Sequence, residues 1–226
     1  RLLMQVRIHV LVIGFLLERQ HAGDRLVLAQ EVDELGDAAL EAVGLDGRLV
    51  LPLAIRVTQR SLALEPRGDA AQLGRQLAQQ HRVSAAQFGW SRDNWIGATP
   101  QPNAREGDWV DFWRGQRLGF QLKLAAQNGF NGPLQREGET LMAGLAGLFG
   151  DYRPQVSLLH GDLWGGNHGY LADGTPVIFD PAVYYGDREA DLAMTRLFGG
   201  FGRAFYDAYQ TAAPLPAGHA VRAELY

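Results

Sequence analysis

The strongest constraint on how this chain folds lies in a stretch where short apolar runs alternate with polar loops. The runs are Val156–Leu159, Gly169–Leu171 and Pro176–Phe179. They are too short for helices and are bounded by turn residues, so they read as strands. The pair Asp173-Gly174 between the last two is a hairpin turn signal. The first loop reads His160-Gly161-Asp162-Leu163-Trp164-Gly165-Gly166-Asn167, and the last strand runs into Asp180-Pro181. Acidic and amide side chains therefore sit where strands end, on loops held by a small sheet. Their types suit a phosphotransferase: Asp162 can accept the proton of an incoming hydroxyl. Asn167 offers a neutral oxygen to Mg²⁺ without competing for that proton, and Asp180 supplies the anionic oxygen a hard cation prefers. Gly165 and Gly166 suit a backbone that passes close to phosphate or metal.

The bulk numbers exclude little but narrow the field. With 226 residues the chain can bury a sizeable core, and 46% hydrophobic with 20% charged residues is ordinary for a soluble globular protein. A net charge of -4 gives no reason to expect a nucleic-acid partner. Cysteine is absent, which excludes disulfides and thiolate metal sites and fits a cytoplasmic location. The apolar run Val10–Leu17 is too short to span a bilayer and is not followed by a small-residue cleavage site. It reads as a buried strand, so no membrane association is expected. Lys123 is the only lysine, which matters below.

Elsewhere the pattern is helical. Asp69 is placed to cap a helix carrying Leu73, Leu77 and the Ala78/His81 side, running to about Arg82. Residues 83–106 read as a long loop ordered by Phe88, Trp90 and Trp95. Asp108 caps a second helix through about Asn128, with Trp109, Phe112, Trp113, Leu118, Leu122 and Ala125 on one side. A third runs from about Glu137 to Phe149, and two more over Arg188–Phe198 and Gly202–Thr211. Asp187 is a candidate cap, with Arg188, Glu189 and Asp191 as candidate surface pairs. Asp191 is the exception, lying beside Leu192, Met194 and Leu197: it is the acid expected to be buried and to accept backbone donors of the Asp162 loop. His160 is expected to orient that loop from a partly buried position. Trp164 is kept as a substrate-side wall, while His168 and His219 read as surface histidines.

An Asp-x4-Asn followed by a second Asp after a strand is also the order in which protein kinases place their catalytic-loop and metal-binding residues. The chain further resembles the fructosamine kinase (ketosamine 3-kinase) family, a protein-kinase-like branch of the aminoglycoside phosphotransferase group. The resemblance rests on LGRQLAQQHR, FGWSRDNWIGATPQPN, DWVDFWRGQRLGFQL, LLHGDLWGGNHGYL and VIFDPAVYYGDREADLAMTRLFGGF, in family order over roughly residues 68–216. It implies an α+β, two-lobed kinase-like fold, with residues 66–226 as a mostly helical catalytic and substrate lobe, cut short at its C-terminus. It also implies ATP and Mg²⁺ as cosubstrate and metal, and a sugar hydroxyl on a small-molecule or protein-bound ketoamine as acceptor. In that reading Asp162 is the base, Asn167 and Asp180 hold the metal, and His160, Trp164, Asp187 and Asp191 support the loop or face the substrate.

Residues 1–65 do not follow the family. No phosphate-covering loop, strand lysine or glutamate partner is visible there, and the sole lysine, Lys123, lies on a helix of the matching part. The nucleotide-binding residues are thus unassigned within residues 1–65, with Arg48, Arg56 and Arg60 as the available cations. Two alternatives stay open: an inactive fragment or pseudokinase lacking the ATP lysine, and a kinase of an aminoglycoside- or choline-type molecule.

Overall fold

The computed structural model describes residues 64–226. The expectations for Val10–Leu17, for Arg48, Arg56 and Arg60, and for a nucleotide lobe fall outside them.

Helix α1 (Ala70–Gln80) is capped by Asp69, whose carboxylate accepts the Gln72 N–H at 2.8 Å. Residues 83–106 are more structured than expected. They contain a hairpin, β1 (Asn94–Ile96) with β2 (Thr99–Gln101), paired antiparallel. Its strands are three residues each, too short for an alternation signal to register. Asp108 caps the next helical run as expected, accepting from Asp111 N–H at 3.0 Å. That run is α2 (Trp109–Phe112), a π-helical stretch (Trp113–Gly119) and α3 (Phe120–Gln127). Helix α4 (Pro133–Phe149) begins a turn earlier than its apolar pattern suggested, with Pro133 in the first turn, where a missing N–H costs nothing.

Strands β3 (Ser157–Leu159), β4 (His168–Tyr170) and β5 (Pro176–Ile178) match the expected apolar runs. A further strand, β6 (Tyr184–Gly186), pairs antiparallel with β3, and β4 pairs with β5. The expected single small sheet is therefore a set of two-stranded ribbons. Helices α5 (Arg188–Met194), α6 (Arg203–Ala212) and α7 (His219–Leu225) complete the order, with a 3₁₀ turn at Leu197–Gly199.

Two hydrophobic cores form. One gathers Trp109, Phe112, Leu122, Leu145, Phe149 and Leu159 around α2–α4 and β3; the other gathers Leu73, Leu77, Leu163, Ile178, Phe205 and Tyr209 between α1 and α6. Leu159 belongs to the first core and Leu163 to the second, and both are fully buried. The chain from His160 to Asp162 is thereby stretched between two packed anchors. Burying one leucine side chain is worth about 2 kcal/mol, so these anchors fix the loop's ends firmly. Trp90 and Trp109 are core residues, Trp113 packs at the core's edge, and Trp95 and Trp164 are exposed.

Candidate active site

The loop after β3 turns sharply at Gly161, whose φ is +84°. A Cβ there would collide with the Ala182 carbonyl oxygen, so only glycine fits. The close approach has a purpose: the Ala182 N–H donates to the His160 carbonyl at 2.8 Å, tying this loop to the segment that follows Asp180.

Asn167 brings the acidic groups together. Its Nδ2 donates to the Asp162 carbonyl at 2.8 Å and to Asp162 Oδ2 at 3.0 Å, and lies 3.4 Å from the Asp180 carbonyl. The Phe179 N–H donates to the Asn167 carbonyl at 3.1 Å, which places the end of β5 beside the loop. With the amide nitrogen committed to Asp162, Oδ1 is left as the amide's ligating atom. Asn167 is buried, Asp162 half-buried and Asp180 exposed. Asp180 has a φ of +52°, a left-handed conformation that a residue other than glycine enters at a cost. Strain of this kind tends to gather at functional sites.

His160 is fully buried rather than half-buried, at 1% exposure. Its Nε2 lies 2.9 Å from the Phe179 carbonyl and its Nδ1 accepts the Asp162 N–H at 3.3 Å. One neutral tautomer, with the proton on Nε2, satisfies both contacts. Burial lowers its pKa, and the nearby Asp191 charge only partly opposes this. The ring thus braces Asp162 against Phe179 and carries no charge near neutrality.

Beneath the loop, the Asp191 carboxylate accepts the His160 N–H at 2.7 Å, the Gly161 N–H at 2.9 Å and His81 Nε2 at 3.1 Å. Burial would raise its pKa, but the His81 hydrogen bond, the neighbouring His81 and His160 rings and, least of all, the Gly161 amide together outweigh that and hold it below the ordinary carboxylate range. His81 is fixed in turn by the Tyr209 hydroxyl at 2.7 Å from Nδ1. His81 and Tyr209 were not singled out in the sequence beyond their helical faces. Tyr209 lies on the buried side of α6 with Phe205 and His81 directly follows α1; a polar group in register with buried apolar residues is the available signal.

Asp187 caps α5, accepting the Glu189 N–H at 3.0 Å, and also accepts from the Tyr152 hydroxyl at 3.0 Å and the Tyr226 hydroxyl at 2.7 Å. Burial, with Glu189 nearby, pushes its carboxyl up to about 6. The expected surface pairs of α5 are not formed: Glu189 is buried and takes a two-pronged ion pair from Arg222, both contacts at 2.8 Å. Arg188 instead donates to the Ala213 and Pro214 carbonyls at the end of α6. His168 and His219 are half-buried: His168 packs on the Phe201 ring at 4.2 Å, and His219 lies 3.1 Å from the Pro216 carbonyl.

The β1–β2 hairpin locks against the segment after Asp180. Asn94 Nδ2 donates to the Val183 carbonyl at 2.8 Å and Gln101 Nε2 to the Ala182 carbonyl at 3.1 Å. Arg117, in the π-helical stretch, holds the hairpin's far side through the Pro102 carbonyl at 2.6 Å and Asn103 Oδ1 at 2.8 Å.

The donor set fits a hard divalent cation: the amide oxygen of Asn167 and an exposed carboxylate on Asp180. Among the described residues no three His, Cys, Asp or Glu side chains cluster to hold a metal. Mg²⁺ needs no such cage, since it takes one or two protein oxygens and completes its shell with water and phosphate. Among the described residues no helix is long and apolar enough to cross a membrane.

Sequence and structure relatives agree on the lineage. The sequence model of the fructosamine kinase family matches residues 59–226. A probable ketoamine kinase of Synechocystis is 48% identical over 155 residues, covering 68% of this chain and 52% of that protein. A chloroplastic protein-ribulosamine 3-kinase of Arabidopsis thaliana is 44% identical over 162 residues, covering 71% and 49%. The chain thus spans about half the length of the curated relatives it matches. Among solved structures, a putative fructosamine-3-kinase from Thermobifida fusca superposes with a TM-score of 0.64 at 37% identity, covering 74% of this chain and 57% of that one. The mixed α/β architecture is the protein-kinase-like one of these structures. With the family model spanning most of its length, the chain belongs to the fructosamine kinase family.

Proposed function

We propose that this protein phosphorylates a sugar hydroxyl on a ketoamine, small or protein-bound, at the expense of ATP, and that residues 66–226 form the catalytic and substrate lobe. The observation that supports it most is the Asn167 amide bridging Asp162 and the Asp180 backbone, which gathers the three polar groups such a reaction uses. Asp162 Oδ2 is held by Asn167, so the carboxylate is oriented to take the acceptor's proton. His160 contributes no charge of its own; it holds the Asp162 backbone. Asn167 Oδ1 and the Asp180 carboxylate would hold Mg²⁺, which when bound neutralises charge developing on the transferred phosphoryl group. Phosphoryl transfer asks the protein mainly for position and electrostatics, and a loop anchored at Leu159, Leu163 and Asp191 supplies position.

The test is transfer of phosphate from ATP to a fructosyl-amine by the full chain. Turnover by wild type and a loss of about a thousandfold or more in Asp162→Ala are expected. No wild-type turnover, or unchanged turnover in the variant, would sink the proposal. One observation favours a second reading: Lys123, the only lysine, is exposed on α3. A chain that binds Mg-ATP weakly would follow, and micromolar Mg-ATP binding by calorimetry would count against it.

A further inference from the structure

Phe198 stands out among the described residues on two independent grounds. It is the most exposed large hydrophobic side chain among them, at 74%, and it is one of two non-glycine residues with a positive φ, at +56°. Either feature alone is unfavourable for folding: an apolar ring in water gains nothing, and a left-handed backbone strains a side chain with a Cβ. The surroundings hold it there. Tyr206 accepts the Phe201 N–H at 3.1 Å and donates to the Thr195 carbonyl at 3.3 Å, so one hydroxyl clamps both ends of the turn that carries Phe198.

The ring is not isolated. It meets the Trp164 ring edge-on, with centroids 5.7 Å apart. Trp164 is 37% exposed and folds back over Gly166, where any Cβ would collide with the indole. Trp164 sits between Asp162 and Asn167 in the loop, its N–H donating to the Asp162 carbonyl at 3.1 Å and its carbonyl accepting the Asn167 N–H at 3.0 Å, and Phe198 extends its aromatic surface. With Trp164 as the substrate-side wall, a sugar whose hydroxyl faces Asp162 would carry its amine substituent toward Phe198.

On the reading that the site phosphorylates ketoamines, we infer that Phe198 is a specificity-determining residue that contacts the apolar stem of the amine portion, favouring ketoamines on a lysine-like tetramethylene chain over those on a minimal amine. Two aromatic edges offer a long, dry surface to methylenes and nothing to a single methyl group. The strained backbone fits this role, because it aims the ring away from the core and toward the loop.

The experiment measures binding as well as turnover, using the full chain and two probes: Nα-acetyl-Nε-fructosyl-lysine and the fructose ketoamine of methylamine. Phe198→Gly suits the left-handed backbone and removes the ring, while Phe198→Tyr keeps it. By calorimetry, wild type should prefer the lysine ketoamine. Phe198→Gly should weaken that ligand about tenfold and the methylamine ketoamine less than about twofold, with Phe198→Tyr retaining the wild-type preference. Equal changes for both ligands, or none, would overturn the assignment. So would a fall in melting temperature for Phe198→Gly with selectivity preserved, since the ring would then be packing on protein. Selective binding without phosphorylation would defeat the kinase reading while leaving this one standing; no wild-type binding of either probe would overturn it.

Discussion

Asp180 and Gly161 both bend the backbone into the left-handed region beside the candidate site. Both have positive φ, but only one carries a side chain. Replacing Asp180 by glycine relieves left-handed strain at an exposed position, so the variant should be more stable by about 0.5–1 kcal/mol in urea titrations. The same change removes the proposed cation ligand and should abolish phosphoryl transfer. A destabilised or fully active Asp180→Gly would contradict the assignment of strain to function. Gly161→Ala is the opposite case, because the added methyl strikes the Ala182 carbonyl inside a hydrogen-bonded contact. It should lose about 2 kcal/mol or more in the same titration, together with activity. At this scale the candidate site is marked in the sequence by residue type. Asp162, Asn167 and Asp180 are polar residues at strand ends, where nothing in the packing calls for them, and the structure brings them together through the Asn167 amide. Phe198 was not singled out, because a phenylalanine inside an apolar helical run looks like core. Only the backbone reveals that it points outward.

At the scale of elements, the loop is held from beneath by segments remote from it in sequence. Helix α5 supplies Asp191, the residue just after α1 is His81 and α6 supplies Tyr209, giving a buried chain from hydroxyl to imidazole to carboxylate to the N–H groups of His160 and Gly161. Asp191→Ala would leave both N–H groups and a histidine without their acceptor, and should cost about 3–5 kcal/mol. Tyr209→Phe removes only the far end and should cost about 1–2 kcal/mol. Urea titration of the two variants checks the order, and an equal cost for both would mean the chain is not transmitted inward. The helices were legible because their apolar faces repeat at helical spacing and Asp69, Asp108 and Asp187 announce their starts. The β1–β2 hairpin and β6 were not. The β1–β2 hairpin is local, but its three-residue strands are too short to show alternation, and β6 pairs with the distant β3, a partner no local pattern encodes. The π-helical stretch was equally hidden. Arg117 lies within it and stacks at 4.1 Å over Tyr184 while reaching Asn103, a tertiary arrangement.

At the scale of the whole molecule, Asp187 joins parts far apart in the chain: Tyr152 after α4, Tyr226 after α7, and the start of α5. Tyr226 in turn accepts from the Trp109 indole at 2.6 Å, extending the network into the first core. This makes stability depend on pH in a particular direction. The folded Asp187 carboxyl keeps its proton up to about 6, because burial disfavours its charge and Glu189 adds to that. An unfolded aspartate titrates at about 3.9. Between these values the folded state binds more protons than the unfolded one, so this contribution is full below about pH 4 and is lost as pH rises through about 6. Asp191 works the other way: its pKa is depressed, so its contribution fades as pH falls. Comparing wild type with Asp187→Asn separates the two, since Asp191 is common to both proteins and the amide stays neutral at every pH. The stability of wild type relative to Asp187→Asn should therefore decrease by up to about 3 kcal/mol between about pH 4 and about pH 7.5, measured as urea denaturation at each pH. Parallel stability curves would show that the folded Asp187 titrates as the unfolded one does, the Tyr152 and Tyr226 hydroxyls offsetting its burial. A relative gain on raising the pH would show that they depress its pKa below that of the unfolded chain.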